Sequence, residues 1–415
     1  MLERKRTTLG KEAEVFVGFP FKSDTFCDDV DGVRLLRGDN IGQGKVDWAD
    51  AKLLAKEAAQ KYAAFQLQVG DVVLAMDRPW VGAGLKQARI RQQDTPSLLV
   101  QRTARLRALG DTDTGFLYYV VAGASYAKYI KGITTGSLVP HISKEQIQSY
   151  PFLLPPPKTQ REIAAVLSVL DAKIDLNNRI NAELEALAKT IYDYWFVQFD
   201  FPDAHGRPYK SSGGAMVWND TLKREIPVGW KTGSLWDIAT YTNGLAMQKF
   251  RPKGHAYLPV IKIKEMSDGF TSDTERASPT ISSKVIIDDG DILFSWSATL
   301  AVQIWTRGRG ALNQHIFKVT SDAYPKSFCY YELVNYLDHF KMMAEKRKTT
   351  MGHITLDHLR QSVVITPPLP LIERVDELLR PMFDQCLGVS KQNQELIKLR
   401  DWLLPLLMNG QVRVV

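Results

Sequence analysis

The densest concentration of reactive side chains in this sequence is cationic. Seven basic residues (Arg78, Lys86, Arg89, Arg91, Arg102, Arg105 and Arg107) fall between positions 78 and 107 against one acid, Asp94. A guanidinium is a planar fork of donors, suited to bidentate contact with guanine edges. The glycines in Trp80-Val81-Gly82-Ala83-Gly84 would let such a loop adjust to a ligand. The plainer reading of the same pattern is a solvated basic face along one strand. A sparser counterpart comes later: Arg307, Arg309 and His315, then Lys346-Arg347-Lys348-Thr349-Thr350. Small hydroxyl and lysine side chains at turns offer phosphate contacts that set register without reading sequence. Candidates of that kind are Thr134, Thr135 and Ser137 before His141-Ile142, Thr349 before His353-Ile354, Lys22 and Ser23 after Gly18, and Lys249 after Gly244.

No catalytic constellation accompanies these cations. Leu154-Pro155-Pro156-Pro157 and Thr366-Pro367-Pro368-Leu369 lack the Asn or Asp and the aromatic with which an adenine methyltransferase would hold its base, and read as rigid domain exits. There is no GxxxxGK[ST] phosphate loop, so nucleotide-driven translocation is not expected of this chain. Asp171-Ala172-Lys173 is the nearest approach to a nuclease triad and lies in a helical stretch as solvated charge. The seven histidines include no HExxH, and His353 and His358 lack a third ligand, so neither a catalytic nor a metal residue is assigned. Cys27, Cys329 and Cys386 are odd in number and far apart, which suits a reduced, cytoplasmic protein. No apolar leader and no 18-residue apolar run occurs, so no membrane association is expected. The 53 basic against 46 acidic residues, net +7, favour a polyanionic partner modestly.

These groups need elements to position them. From Lys158 to Phe201 no Gly or Pro occurs, and Ile163, Leu167, Leu170, Ile174, Asn177, Asn181, Leu184, Ala188 and Ile191 recur in steps of four and three. That is the repeat of a helix paired along one seam, and about 40 residues at about 1.5 Å each make a rod of about 60 Å. A shift of 212 positions lays the C-terminal stretch on it without a gap: Val375, Leu379, Met382, Cys386, Val389, Asn393, Leu396, Arg400 and Leu403. The seam of the pair is expected to include Leu167, Ile174, Asn181 and Leu184 from one rod and Leu379, Cys386, Asn393 and Leu396 from the other. Two antiparallel rods related by a pseudo-two-fold would cross near residue 180, so Asn181 and Asn393 are expected to meet and fix the register.

The repeat extends beyond the rods. Phe116, Tyr118 and Tyr119 match Phe328, Tyr330 and Tyr331, Gly18 matches Gly244, and Gly70-Asp71 matches Gly290-Asp291 at drifting offsets. The chain therefore reads as a domain over 1–152, a spacer helix over 153–201, a linker over 202–225 with little regular structure beyond a turn, a second domain over 226–366 and a second spacer helix over 367–415. Short β-like runs at Val15–Phe21, Val33–Leu36, Asp71–Met76, Leu98–Leu106 and Phe116–Val121, the last alternatively helical, with helical patterns at 49–65 and 143–149, predict α+β domains with mostly antiparallel pairing. Pro381 is expected to break or start the second long helix, with Gly388 and Pro405 also unfavourable within it.

Ile226-Pro227-Val228-Gly229-Trp230, the two Gly-Asp turns, His141-Ile142-Ser143 leading to Pro155-Pro156 and Gln160-Arg161-Glu162-Ile163, and Tyr194-Trp195-Phe196-Val197-Gln198-Phe199-Asp200 stand in an order that resembles the specificity subunits of type I restriction–modification systems. The resemblance covers nearly the whole chain, although the first domain lacks the Pro-x-Gly-Trp entry. It implies two target-recognition domains held apart by an intramolecular coiled coil of two long helices. Each domain would read one half of a bipartite double-stranded DNA target. It also implies docking of methyltransferase subunits, two of them, and of restriction or translocase subunits. S-adenosylmethionine, ATP and Mg would then reside on those partners and not on this chain. Two other classes fit the composition: a coiled-coil interaction protein whose basic loops are incidental, and a stand-alone DNA-binding regulator.

Overall fold

One strand topology occurs twice in this computed structural model, which describes residues 4–29, 31–81, 84–134, 140–346 and 353–414. The chain divides into two compact units, Met1–Lys173 with Leu396–Val415, and Ile174–Glu395. Each unit holds a globular α+β part and a segment of both long helices.

In the first unit, Val72–Ala75 pairs antiparallel with Gln87–Arg89 and with Thr103–Ala108, which pairs in turn with Ala13–Val17. Val33–Leu36 lies between Lys52–Leu54 and, in parallel, Ser97–Leu99. Lys5–Thr8 pairs with Pro151–Leu154 next to the entrance of the first rod. The second unit repeats this. Ile292–Ser295 lies between Ala301–Ile304 and Ile316–Thr320, the latter joined to Thr240–Asn243. Leu258–Ile261 runs parallel to Gly310–Leu312, and Lys231–Ser234 pairs with Val363–Thr366. Packing explains why the glycine recurs. A Cβ built on Gly18 would stand 2.1 Å from the Val100 carbonyl oxygen, and one on Gly244 2.1 Å from that of Asn313. No larger residue admits that crossing of backbones.

The Phe116–Val121 run is helical, inside Thr114–Ala122, with the Asp113 carboxylate accepting the Phe116 N–H at 2.8 Å. Its whole circumference is apolar because it is buried, which hides a helical period. The helical pattern at 49–65 resolves into the edge strand Lys52–Leu54 and two short turns, Lys56–Ala59 and Gln60–Phe65. The stretch 202–225 is more structured than its composition suggests. Met216–Asn219 forms a hairpin with Arg224–Pro227, and Tyr209 stacks on Phe201 at 4.6 Å. Aromatic stacking on the Trp230 cluster, where Phe201 lies at 5.2 Å, supplies the burial that glycine and serine could not.

The first long helix is Pro157–Tyr192, closed by a π turn at Asp193–Val197 that delivers Trp195 and Phe196 to the core of the second unit. The second is Leu369–Asn409, unbroken through Pro381, Gly388 and Pro405, which corrects the expected break. All three residues are exposed, so water can satisfy carbonyls freed by proline while the opposite face stays packed. Nothing lies within 4 Å of a Cβ placed on Gly388. Gly388→Ala should therefore stabilise the protein by about 1 kcal/mol, and a thermal melt that fails to rise would count against an exposed helix interior there.

Within the second unit the seam between the two helices has a polar layer. Asn177 Nδ2 donates to Gln392 Oε1 and Asn393 Oδ1, both at 2.8 Å, and Asn393 Nδ2 donates to Asn178 Oδ1 at 2.8 Å. Asn181 Nδ2 donates to Ser390 Oγ at 3.0 Å. The expected Asn181–Asn393 bond is thus replaced by two bonds, Asn178–Asn393 and Asn181–Ser390, which exchange under the 212-residue shift. Equivalent residues meet only if a symmetry axis passes through them, and here it passes between 178 and 181. Leu379 and Ile174 are buried, whereas Leu184, Cys386 and Asn181 are half-buried. In the first unit, Leu167 shares a core with Leu404 and Leu407, and half-buried Leu396 lies on the same helix.

Buried amides specify register at a cost in stability. The double substitution Asn177→Leu with Asn393→Leu should raise stability by about 1–2 kcal/mol, whereas Asn177→Leu alone should lower it by about 1 kcal/mol by stranding the Asn393 oxygen. Equal, additive losses in a double-mutant cycle would refute a coupled layer.

Candidate nucleic-acid interface

Three of the seven clustered cations converge in the first unit. Arg78 and Lys86 line a cleft of about 450 Å³ together with Arg37, Asp39, Asp77 and Arg102. Arg37 opens the turn Gly38–Asn40, its N–H donating to Asn40 Oδ1 at 3.0 Å. Asp77 organises one wall: Arg102 Nη1 lies 3.0 Å from its carboxylate and His141 Nδ1 2.5 Å from Oδ1. Arg78 and Arg102 both have left-handed backbone, φ 43° and 64°. Such conformations cost energy in residues with a Cβ and gather where a site holds side chains in place. Lys86 is only 8 % exposed and makes no ion pair among the described residues. Burial pushes its ammonium below the ordinary lysine value, Asp39 opposing that shift and Arg78 adding to it. An adjoining cleft of about 680 Å³ contains Ser23, Phe26, Arg37, Lys52 and Gln101. A ligand with acceptor atoms would find the donors of Arg37, Arg78, Lys86 and Arg102 on this surface, beside the carboxylates of Asp39 and Asp77.

Other expected contacts lie elsewhere. Arg89 stacks over Tyr118 at 5.2 Å, and Arg91 is half-buried at the start of a turn at Gln92–Asp94. Arg105 pairs with Glu14 at 2.7 Å and Arg107 with buried Asp71 at 2.7 and 2.8 Å, so both hold the sheet together. Asp291 makes a comparable ion pair with Lys318, 2.8 Å away, from the register position of Arg105, so in both copies the Asp of the Gly-Asp turn ties down a cation of the neighbouring strand. Lys22 is exposed beside Ser23, and the Thr134 hydroxyl donates to the Ile130 carbonyl at the end of a helix. Thr135, Ser137, Lys348 and Thr349 lie outside the described residues, as does the side chain of Lys346. Arg37 stands outside the basic cluster, and the Gly38-Asp39-Asn40 turn that follows it was the signal for it.

In the second unit the corresponding surface is aromatic and amide-rich. Trp296 lies 5.5 Å from His315 and 5.6 Å from His353, and its Nε1 donates to Asn243 Oδ1 at 3.1 Å. Lys249 is exposed nearby in sequence, in the turn Met247–Lys249. Arg307 turns its donors onto the Ser267 carbonyl at 3.0 Å, and Arg309 faces Asp288 at 3.6 Å. Backbone bonds establish which positions correspond. Ile142 N–H donates to Met76 O, as Ile354 N–H does to Trp296 O; Met76 N–H donates to Arg102 O, as Trp296 N–H does to His315 O.

Among the described residues no group of acidic, histidine and cysteine side chains could hold a metal ion, and no helix is long and apolar enough to cross a membrane. Two copies of one frame, one with a cationic cleft, define a repeated recognition module. The family model described as the type I restriction modification DNA specificity domain matches residues 30–186 and 227–397. The chain belongs to that family. It is 27% identical over 308 residues to the MjaIX specificity subunit of Methanocaldococcus jannaschii, covering 72% of this chain and 69% of that one. It is 24% identical over 354 residues to the HindI specificity subunit of Haemophilus influenzae, covering 72% and 77%. In fold it is similar to the crystal structure of a type I restriction–modification S subunit from M. genitalium, with TM-score 0.56 and 13% identity over 98% of this chain and 96% of that one.

Proposed function

We propose that this chain is the subunit that selects the DNA target of a type I restriction–modification complex, each globular domain reading one half of a bipartite site. One observation carries this reading: the two units share strand order, the Gly18/Gly244 crossing and the Gly-Asp ion pair, yet differ in the side chains at matching positions of one surface. A conserved frame with exchanged polar groups suits one task performed on two sequences. Recognition, not catalysis, is the chain's role. The long helices set the gap between half-sites and dock two methyltransferase subunits, with restriction or translocase subunits joining them. S-adenosylmethionine, ATP and Mg belong to those partners, and the assembly works on DNA in the cytoplasm. Co-purification with the proteins encoded beside it tests this: a methyltransferase should be retained at high salt. A chain that purifies alone and binds DNA tightly by itself would favour the stand-alone regulator.

A further inference from the structure

Three of the four cations around the first unit's cleft have no cationic equivalent in the second. The strand registers Val72–Arg89 and Ile292–Ile304 make Lys86 the equivalent of Ala301. The shared hydrogen bonds of Met76 and Trp296 make Arg102 the equivalent of His315 and place Arg78 opposite Ala298, which repeats its left-handed backbone at φ 57°. Only Arg37 keeps a basic counterpart, Lys262, and that lysine is held by Glu275 at 2.5 Å.

Phosphate is common to every DNA target, so contacts to it have no reason to differ between two copies doing the same task. Donors that differ point instead to bases. Lysine and arginine only donate, and the major-groove edge made of acceptors alone is that of guanine, O6 and N7. Adenine mixes an acceptor with an N6 donor, and thymine sets a methyl beside its single O4. Lys86 adds an independent pointer: it is a lysine only 8 % exposed that lines the cleft and makes no ion pair among the described residues, Asp39 being the carboxylate that acts on its charge.

Building on the proposed role in target selection, we propose that the half-site read by the first unit contains guanine, whose O6 and N7 edge is contacted by Lys86 together with Arg78 and Arg102. Asp77 is a positioning residue here, since it holds Arg102 at 3.0 Å while His141 braces its other side. The test is to express the chain with its methyltransferase partner and sequence the modified bases, for wild type, Lys86→Met, Lys86→Arg and Arg102→Ala. Wild type should modify a two-part target. Lys86→Met should lower the preference at a guanine in one half by about ten- to a hundredfold, leaving the other half intact. Lys86→Arg, which keeps the donor, should retain that preference. Should Lys86→Met leave no modified DNA, Arg102→Ala decides, because that side chain is 69% exposed and its loss spares the core. Relaxation at an A·T pair, or at no position, would overturn the guanine assignment while leaving two-part recognition standing. Absence of any two-part target in wild type would instead sink the underlying reading.

Discussion

Deleting residues 182–188 together with 383–389 should shorten the unread gap in the DNA target by about three base pairs. The two segments face each other in the seam, because Asn181 bonds Ser390 just outside them. Each deletion removes one heptad, so apolar positions on either side return to the same face. The helices lose about 10 Å apiece at about 1.5 Å per residue, and B-form DNA rises about 36 Å in 10.5 base pairs. The polar layer at Asn177, Asn178 and Asn393 survives, which keeps the register specified. Both half-sites should persist in the modified sequence while the gap contracts. Removing four residues from one helix alone would rotate its seam into solvent, and that variant should fail to accumulate. A seven-residue double deletion that folds and still modifies sites with the original gap would show that the helices do not set it.

Affinity for target DNA should fall steeply with salt, by about 10³- to 10⁵-fold between 50 and 200 mM if about six to ten phosphates are neutralised. Exposed cations outside the proposed base contacts are available for this in both units: Lys22 and Lys52 in the first, Lys249 and Arg309 in the second. The slope also separates two kinds of contact. Replacing a lysine or arginine that meets a phosphate lowers the slope by about one and weakens all sequences alike. Lys86→Met should leave the slope nearly unchanged and weaken only the intended target. Binding titrations at four salt concentrations, on target and unrelated duplexes, measure both quantities. A slope near zero would favour the coiled-coil interaction protein, for which the basic loops are incidental.

What could be read before any coordinates was periodic or repeated. The 212-residue shift located both long helices, because seam positions recur on a period that propensity alone does not produce. Gly18 and Gly244 were visible as a pair, although their reason, a backbone crossing that leaves no room for a Cβ, was not. Two departures from expectation and one run left open between strand and helix share one cause, the invisibility of burial. Pro381 seemed able to end a helix, yet it stands on the watered face. Phe116–Val121 hid its helical period because every side of it is packed. Arg105 and Arg107 looked available for DNA, whereas Glu14 and Asp71 hold them from neighbouring strands. Partner identity is a tertiary property, and the acid that captures an arginine here lies 36 or 91 positions away. The Asn181 pairing missed by half a turn for a geometric reason, since chain counting locates a two-fold axis only to within a residue or two.

The central claim is that two copies of one module read two different halves of one DNA site. Sequencing of modified bases in cells that carry this chain with its methyltransferase partner tests it directly when the first cleft is rebuilt as the second, with Arg78→Ala, Lys86→Ala and Arg102→His together. The account predicts a two-part target with a fixed gap in wild type, and in the triple variant a change confined to one half, the gap and the other half being retained. A single continuous target, or a variant that alters both halves at once, would contradict it.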